Sequence, residues 1–556
     1  MAVGSFALVL HSHLPYYRKA GKWPFGEENL HEAIAETYIP LLDAIHALKA
    51  EGIDAKITVG ITPVLAEQLA DEYLKEGFEE YLEEVLDRIE LDRETYEDLP
   101  EDPRHELADY YHDWYTQKLD AFQKVYHRDL LGAFKALQDE GAIEIITSAA
   151  THGFSPLLGR DSSLNAQFKV GVETYEKHFG QKPKGVWLPE CAYRPAREAE
   201  RRPAIDQFLY ENGLEFFFTD FHAVEGGQTA GYRRQIGPYG TIDYVPMPLR
   251  PESGLDTFSG YWLPDNPVAV FARNRKAGEQ VWEADQGYPG DPWYREFHKR
   301  DSQSGMQYWR ITGRTWDMEH KEYYDPAKAL ERIDENSTHY VGLIHDLLQG
   351  YQDQHGHEGS LVVPFDTELF GHWWYEGVEW IKAVIRKMAA NDEIRRVTVS
   401  ELMEIQPPSI AIDLPESTWG AGGHYKVWMN PQVEFMWPII HRCEQRMEEL
   451  VRRFPDPVSE LQGRALAQAA RELLLLEGSD WPFLVTTGQA KAWAIERFNL
   501  HVERFETLAD MLVANALDEE TLEEIEEEDN LFEGIDYRVF KNRQSPLSAT
   551  SPAEPK

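Results

Sequence analysis

Two cysteines, Cys191 and Cys443, are all that this sequence carries in 556 residues. That is too few for a disulfide framework and points to a reducing, cytoplasmic setting. No apolar run approaches the roughly 20 residues that a membrane-spanning helix needs. The apolar stretch Phe6 to Leu10 has no basic segment before it and runs straight into His11, so it reads as a buried strand rather than a signal peptide. Basic residues are also scarce: Lys and Arg total 55 against 97 Asp and Glu, a formal charge of -42. Such a chain repels phosphate backbones and anionic lipid, which argues against nucleic acid and membrane partners. No internal repeat is evident, and the acidic run TLEEIEEEDN reads as a solvated helix face.

Aromatic residues are plentiful, at 12% with 16 Trp. Apolar rings beside acidic groups suit sugars, which offer C–H faces to stack and hydroxyls to hydrogen-bond. For any single Trp, plain packing in the core is the alternative.

Several short apolar runs stop abruptly at polar residues: SFALVLHSHLP, AKITVGITP, AIEIITSAATHGFSP, GVWLPECAY, LEFFFTDFHAV and LVVPFDTELFGHW. Runs of this kind fit strands buried on both faces, and the long helical patterns between them predict repeated βα units closing into a barrel. Active sites of such barrels lie at the C-terminal strand ends. His11, His13, His152, Glu190, Asp220 and Asp366 are therefore expected to converge on one face. The acidic, aromatic stretch 71–141 reads as a helical insertion within a catalytic region 1–406. Helical patterns then predict a C-terminal helical domain over 407–530, followed by a disordered tail over 531–556.

Cleaving a glycosidic bond with retention requires two carboxyl groups, one attacking the anomeric carbon and one shuttling a proton. Glu190 in GVWLPECAYRP and Asp366 in LVVPFDTELFGHWWYEG stand at strand ends in aromatic settings, although a structural ion pair would place carboxylates in the same way. His11 and His13 form an HxH pair that a strand puts on one face. With His152 and an acid, that pair has the makings of a zinc site, which spacing alone leaves open.

Five segments taken in order resemble the conserved regions of glycoside hydrolase family 57: HSHLPY at 11–16, THGFSP at 151–156, WLPECAY at 187–193, VPFDTELFGHWW at 363–374 and STWGAGGHYKVW at 417–428. KWPFGEE at 22–28 and QVWEADQGYPG at 280–290 are similar to the family's branching enzymes. The resemblance implies an incomplete (β/α)7 TIM-like barrel with a helical insertion and a C-terminal helical domain. It assigns Glu190 as nucleophile and Asp366 as general acid/base, acting on an α-1,4-glucan. It makes His11, His13 and His152 sugar-binding rather than metal-binding, with no metal or cofactor. It also lines the subsites with Trp23, Trp282, Trp419 and Trp428, and gives Asp480 and Trp481 to the acceptor side. A mobile loop tipped by Tyr232, Tyr239 or Tyr244 is expected between Ala223 and Tyr261, and the protein is expected to be a monomer. The implied activity is the making of α-1,6 branches. An α-amylase or 4-α-glucanotransferase would use the same carboxylates, a glycan-binding protein would have lost one of them, and a polysaccharide deacetylase would need a metal.

Overall fold

The structure, a computed structural model, describes residues 2–226, 234–235, 241–242, 253–282, 287–313 and 315–542. Tyr232, Tyr239 and Tyr244 lie outside the described residues.

Seven parallel strands, β1 (Gly4–Ser12), β2 (Ile57–Ile61), β3 (Ile143–Ser148), β4 (Val186–Trp187), β5 (Phe216–Thr219), β6 (Ala269–Ala272) and β7 (Gly359–Asp366), surround a common interior. The order β7-β1-β2-β3-β4 is fully paired. A bridge between Gly185 and Phe216 carries it on to β5, which pairs with β6. Between β6 and β7 the ring is held by the backbone hydrogen bond from Asn274 N to Val362 O, 3.3 Å. The result is the expected incomplete barrel. A short strand, Ile394–Arg396, sits beside the first three residues of β1 on the edge that β2 takes up further along.

The alternation of β1 explains how the site is positioned. Phe6, Leu8 and Leu10 point outward into the core shared with the surrounding helices. Ala7 and Val9 point inward, where they meet Ile146, Trp187, Phe218, Phe271 and Val362. A period of two then turns His11 and His13 to the same inner face, at its C-terminal end. On β7 the same rule carries the inward position from Val362 to Asp366, and the register sets Asp366 opposite His11.

Between β2 and β3 the chain forms α1 (Glu72–Tyr96) and α2 (Arg104–Asp120), the antiparallel core of the stretch read as an insertion. Asp71 caps α1 by accepting from Leu74 N. Beyond the barrel come α3 (Met436–Arg453), α4 (Glu460–Leu476), α5 (Asp480–Thr487), α6 (Lys491–Ala514) and α7 (Glu519–Glu528). The expectation of a disordered tail from 531 fails for 531–542. There Leu531, Phe532, Tyr537 and Phe540 are buried against these helices, and the Tyr537 hydroxyl donates to Phe454 O. Four apolar anchors in ten residues outweigh the polar residues around them. No helix among the described residues is long and apolar enough to cross a membrane, and both cysteines are buried free thiols.

Candidate active site

A cleft of about 1190 Å³ opens at the C-terminal ends of the strands, with Glu190, Asp366, His11, His13, His152, Trp282, Trp419, Trp428 and Asp480 in its walls. Nine of the twelve expected site residues therefore converge. One exception is Trp23, which is 76% exposed and stands on the rim of a different cavity. Its neighbour Phe25 faces the cleft instead. Asp220 is also absent from the walls: it grips Arg273 through two hydrogen bonds of 3.0 and 2.9 Å, and that guanidinium lies 5.7 Å from the Trp419 ring centre. Asp220 is thus the ion-paired kind of strand-end carboxylate.

Glu190 follows β4 in a left-handed backbone conformation (φ 62°), and Cys191 after it shares that conformation (φ 49°). Two consecutive non-glycine residues in this region are costly, about 1–3 kcal/mol each, and persist only where the surroundings impose them. The surroundings here are the segment 417–419. Trp419 N and the Thr418 hydroxyl both donate to the Glu190 carbonyl, at 3.0 and 3.1 Å. The Trp419 indole N–H donates to Glu190 Oε2 at 2.8 Å. Thr418 and Trp419 hold the backbone, and Trp419 holds the carboxylate as well. Around the ring β4 lies three places from β7 one way and four the other, so Glu190 and Asp366 project from nearly opposite sides of the barrel mouth.

The histidines form a stack. His13 and His152 have ring centres 3.8 Å apart and planes 16° apart, while His11 lies 4.4 Å over Trp187. His11 Nε2 meets His152 Nε2 at 3.0 Å, His13 Nε2 meets Asp480 Oδ1 at 2.9 Å, and His152 Nδ1 meets the Ser479 hydroxyl at 2.8 Å. Burial first, and then the neighbouring histidines, pushes His11 and His152 well below the usual imidazole range, so both stay neutral. His13, His152 and Asp480 bring one ligand atom each within 4.8 Å of one another, a spacing that could hold a metal ion. However, nearly parallel stacked rings direct their lone pairs side by side rather than at one point, and the ring nitrogens of His13 and His152 already have partners. The trio fits a metal poorly.

Glu368 went unnoticed in the sequence. It is buried in the cleft wall, where Oε1 accepts from the Tyr38 hydroxyl at 2.5 Å and from His13 N at 3.1 Å. Burial, with Asp366 adding to it, raises its pKa to about 8. With Oε1 accepting twice, the proton belongs on Oε2. The signal available was the i,i+2 pair Asp366 and Glu368, two carboxyls too close for both to ionise freely. Phe483, Leu484 and Trp493 also line the cleft without having been anticipated. By contrast Trp481, though next to Asp480, is 1% exposed and donates its indole N–H to Leu475 O, so it belongs to the core. Trp428 reaches the cleft but is mostly sandwiched between Phe154 and Phe483, at 4.5 and 6.3 Å.

The loop after β7 is drawn close to the helical segment before it by Gly371 (φ 111°), where a Cβ would meet Glu36 O at 1.9 Å. On the opposite wall, the loop holding His152 is stitched to the C-terminal helices. Thr151 donates to Leu474 O, and Ser479 N donates to His152 O at 3.0 Å. This joint sets Asp480 beside His13.

Residues 7–415 match glycosyl hydrolase family 57. The chain belongs to that family. Residues 439–540 match a second model, the C-terminal region of 1,4-alpha-glucan branching enzymes. Over 98% of its length the chain is 46% identical to a 1,4-alpha-glucan branching enzyme of Thermococcus kodakarensis, covering 79% of that protein. The crystal structure of a family 57 branching enzyme from Pyrococcus horikoshii superposes with a TM-score of 0.86 at 42% identity, covering 98% of each chain. The alpha-amylase AmyC of Thermotoga maritima superposes with a TM-score of 0.82 at 32% identity, covering 97% of this chain and 99% of the other. Closely similar folds thus carry the names branching enzyme and alpha-amylase.

Proposed function

We propose that the protein works as a 1,4-alpha-glucan branching enzyme with a retaining mechanism, in cytoplasmic synthesis of a glycogen-like polysaccharide and as a monomer. The observation that carries this reading is the end-to-end similarity to a branching enzyme. It includes the C-terminal helices, whose residues Asp480, Phe483, Leu484 and Trp493 form one wall of the cleft.

In this reading Glu190 attacks C1 of the donor through Oε1 while Trp419 holds Oε2. Asp366, protonated at the start, gives its proton to the departing 4-oxygen, leaving a glucosyl ester on Glu190. Asp366, now ionised, removes the proton from an acceptor 6-hydroxyl, that oxygen attacks C1, and the Glu190 carboxylate leaves. Positive charge develops at the anomeric carbon in both steps. Neutral His11 and His152 stand beside that carbon without the repulsion that an imidazolium would add. A protonated Glu368 likewise serves as a donor rather than as a third anion. Trp282 and Trp419 supply flat apolar surface for the glucan. The fate of the intermediate depends on whether water or a positioned sugar hydroxyl reaches it first.

Proton NMR of amylose incubated with the protein tests the reading. New α-1,6 anomeric signals with few new reducing ends are expected. Reducing ends or redistributed α-1,4 chains without α-1,6 signal would move the function to the second reading, an amylase or 4-α-glucanotransferase, which the likeness to AmyC favours.

A further inference from the structure

Asp220 and Arg273 stand behind the cleft wall rather than in it. β5 and β6 run parallel with Thr219 opposite Ala272, so the next residues, Asp220 and Arg273, emerge side by side at the mouth of the barrel. Arg273 N donates to Thr219 O at 3.0 Å, which continues the pairing one step further. Arg273 Nε and Nη2 then donate to the two carboxylate oxygens of Asp220, and this double contact fixes the plane of the guanidinium. Both side chains are buried. Gly278, on the helix Arg275–Trp282, leaves room for the Arg273 stem: a Cβ there would stand 3.0 Å from its Cδ and 3.2 Å from its Cγ.

A buried ion pair is a poor device for stability, because two apolar side chains of similar volume often serve as well or better. What this pair faces gives a reason for the charge. The guanidinium lies 5.7 Å from the centre of the Trp419 ring, within reach of a cation–π contact. The N–H of that same indole donates to Glu190 Oε2 at 2.8 Å. A cation against the ring draws electron density away from the N–H and makes it a stronger donor to the carboxylate. The segment is also tied to the end of β5, where the Thr219 and Ser417 hydroxyls lie 3.4 Å apart. The Cys191 thiol, next to Glu190, registers how closely these groups gather. Burial raises it first, and four charges act on it as well: Arg273 downward, and Asp220, Glu190 and Asp366 upward. Because Asp220 balances Arg273, the pair acts as an oriented dipole and adds no net charge beside the anomeric carbon.

We propose that Arg273, aligned by Asp220, is a positioning residue for the nucleophile. It acts through the Trp419 indole to hold Glu190 Oε2, which leaves Oε1 aimed at the anomeric carbon. The proposal rests on the α-glucan reading of the cleft, and it applies equally to transfer and hydrolysis because both begin with the attack of Glu190.

Single-turnover release of fluoride from α-maltotriosyl fluoride reads that attack, and separates the rate at saturation from the half-saturating donor concentration. Arg273→Met should lower the saturating rate roughly 10- to 100-fold and leave the half-saturating concentration within about twofold. Arg273→Lys, which keeps the charge but not the double contact, should recover part of that rate. Trp419→Phe removes the N–H, so adding Arg273→Met to it should slow the reaction by less than about twofold further. Gly278→Ala keeps both charges and favours its helix, yet it displaces the Arg273 stem; the rate should fall with no drop in thermal midpoint. Saturating rates within about twofold of the original for both Arg273→Met and Gly278→Ala would overturn the proposal. So would losses for Arg273→Met and Trp419→Phe that simply multiply, or a raised half-saturating concentration at an unchanged rate. No fluoride release by the unsubstituted protein would overturn the α-glucan reading and the positioning role together.

Discussion

The chain builds two clusters of histidine with carboxylate, and their surroundings drive them to opposite protonation states. At the cleft, His152 stacks on His13 beside Asp480. Inside the C-terminal helices, His501 Nδ1 lies 2.9 Å from Glu472 and 3.5 Å from Asp529, with Arg504 on the far side of Asp529. All three members of the second cluster are buried, and they too stand within metal-binding distance, although a guanidinium already occupies Asp529. Burial lowers His11 and His152. The same burial acts on His501, but Asp529 and Glu472 outweigh it and raise its pKa. Burial therefore does not by itself determine the charge of a histidine; the sign of its partners does.

The clusters differ in backbone as well. His152 and Glu190 hold left-handed conformations at strand ends, whereas Glu472 and His501 sit within regular helices. The cleft cluster thus carries backbone strain that the sealed cluster lacks, and the sealed cluster holds the wall behind the cleft together. Substitutions at the cleft should accordingly act on rate, and those in the sealed cluster on stability.

The strongest challenge to that division is Glu190→Gln. Loss of the nucleophile should cut both transfer and hydrolysis by on the order of 10⁴-fold or more, with little change in the thermal midpoint. Normal turnover would remove Glu190 from its role, and a large drop in midpoint would blur the distinction. Asp529→Asn comes next. It deprives buried His501 and Arg504 of their counter-charge and should cost about 3–5 kcal/mol of stability, read from guanidinium unfolding, while branching at low temperature stays near its original rate.

The smallest effect, and the sharpest, is in the pH dependence. Glu472 holds its proton to about pH 7 when folded, against 4.5 as its ordinary value, because burial and then Asp529 disfavour its charge. Between those values the folded chain binds more protons, so stability falls as pH rises from about 4.5 to 7. His501, raised above 6.5, adds a further loss as pH rises through its folded value. His11 and His152 carry the opposite sign: their folded pKa is depressed, so their stability is lost as pH falls below 6.5. Each proton contributes at most about 1.4 kcal/mol per pH unit. Glu472→Gln should remove the fall between about pH 4.5 and 7, and His152→Gln the loss below 6.5, read as changes of opposite slope in midpoints followed across pH 4 to 9. Both variants changing the slope in the same direction would break the contrast.

The barrel and the strand-end placement of Glu190 and Asp366 were legible in the sequence because buried parallel strands leave an unmistakable trace: an apolar run on both faces that ends in a polar residue. That trace located His11, Glu190 and Asp366 at strand ends and also swept in Asp220, whose partner Arg273 is 53 residues away in sequence. Sequence reading failed where burial depends on distant segments. Trp428 and Trp481 look like sugar platforms until Phe154, Phe483 and Leu475 are placed around them. Glu368 looks like one more loop acid until Tyr38 arrives from a helix 330 residues earlier.

The pairing of β1 also constrains how the chain is made. Its residues Gly4 to His11 are buried in the finished barrel, and one whole edge of the strand is satisfied only by β7, about 350 residues later. At a synthesis rate of about 5–20 residues per second, that edge waits roughly 20–70 s for its partner. Throughout that interval a largely apolar strand has one unpaired side, an arrangement prone to pair with another chain. The strand that delivers His11 and His13 to the cleft is therefore also the segment of the nascent chain most in need of protection by a chaperone.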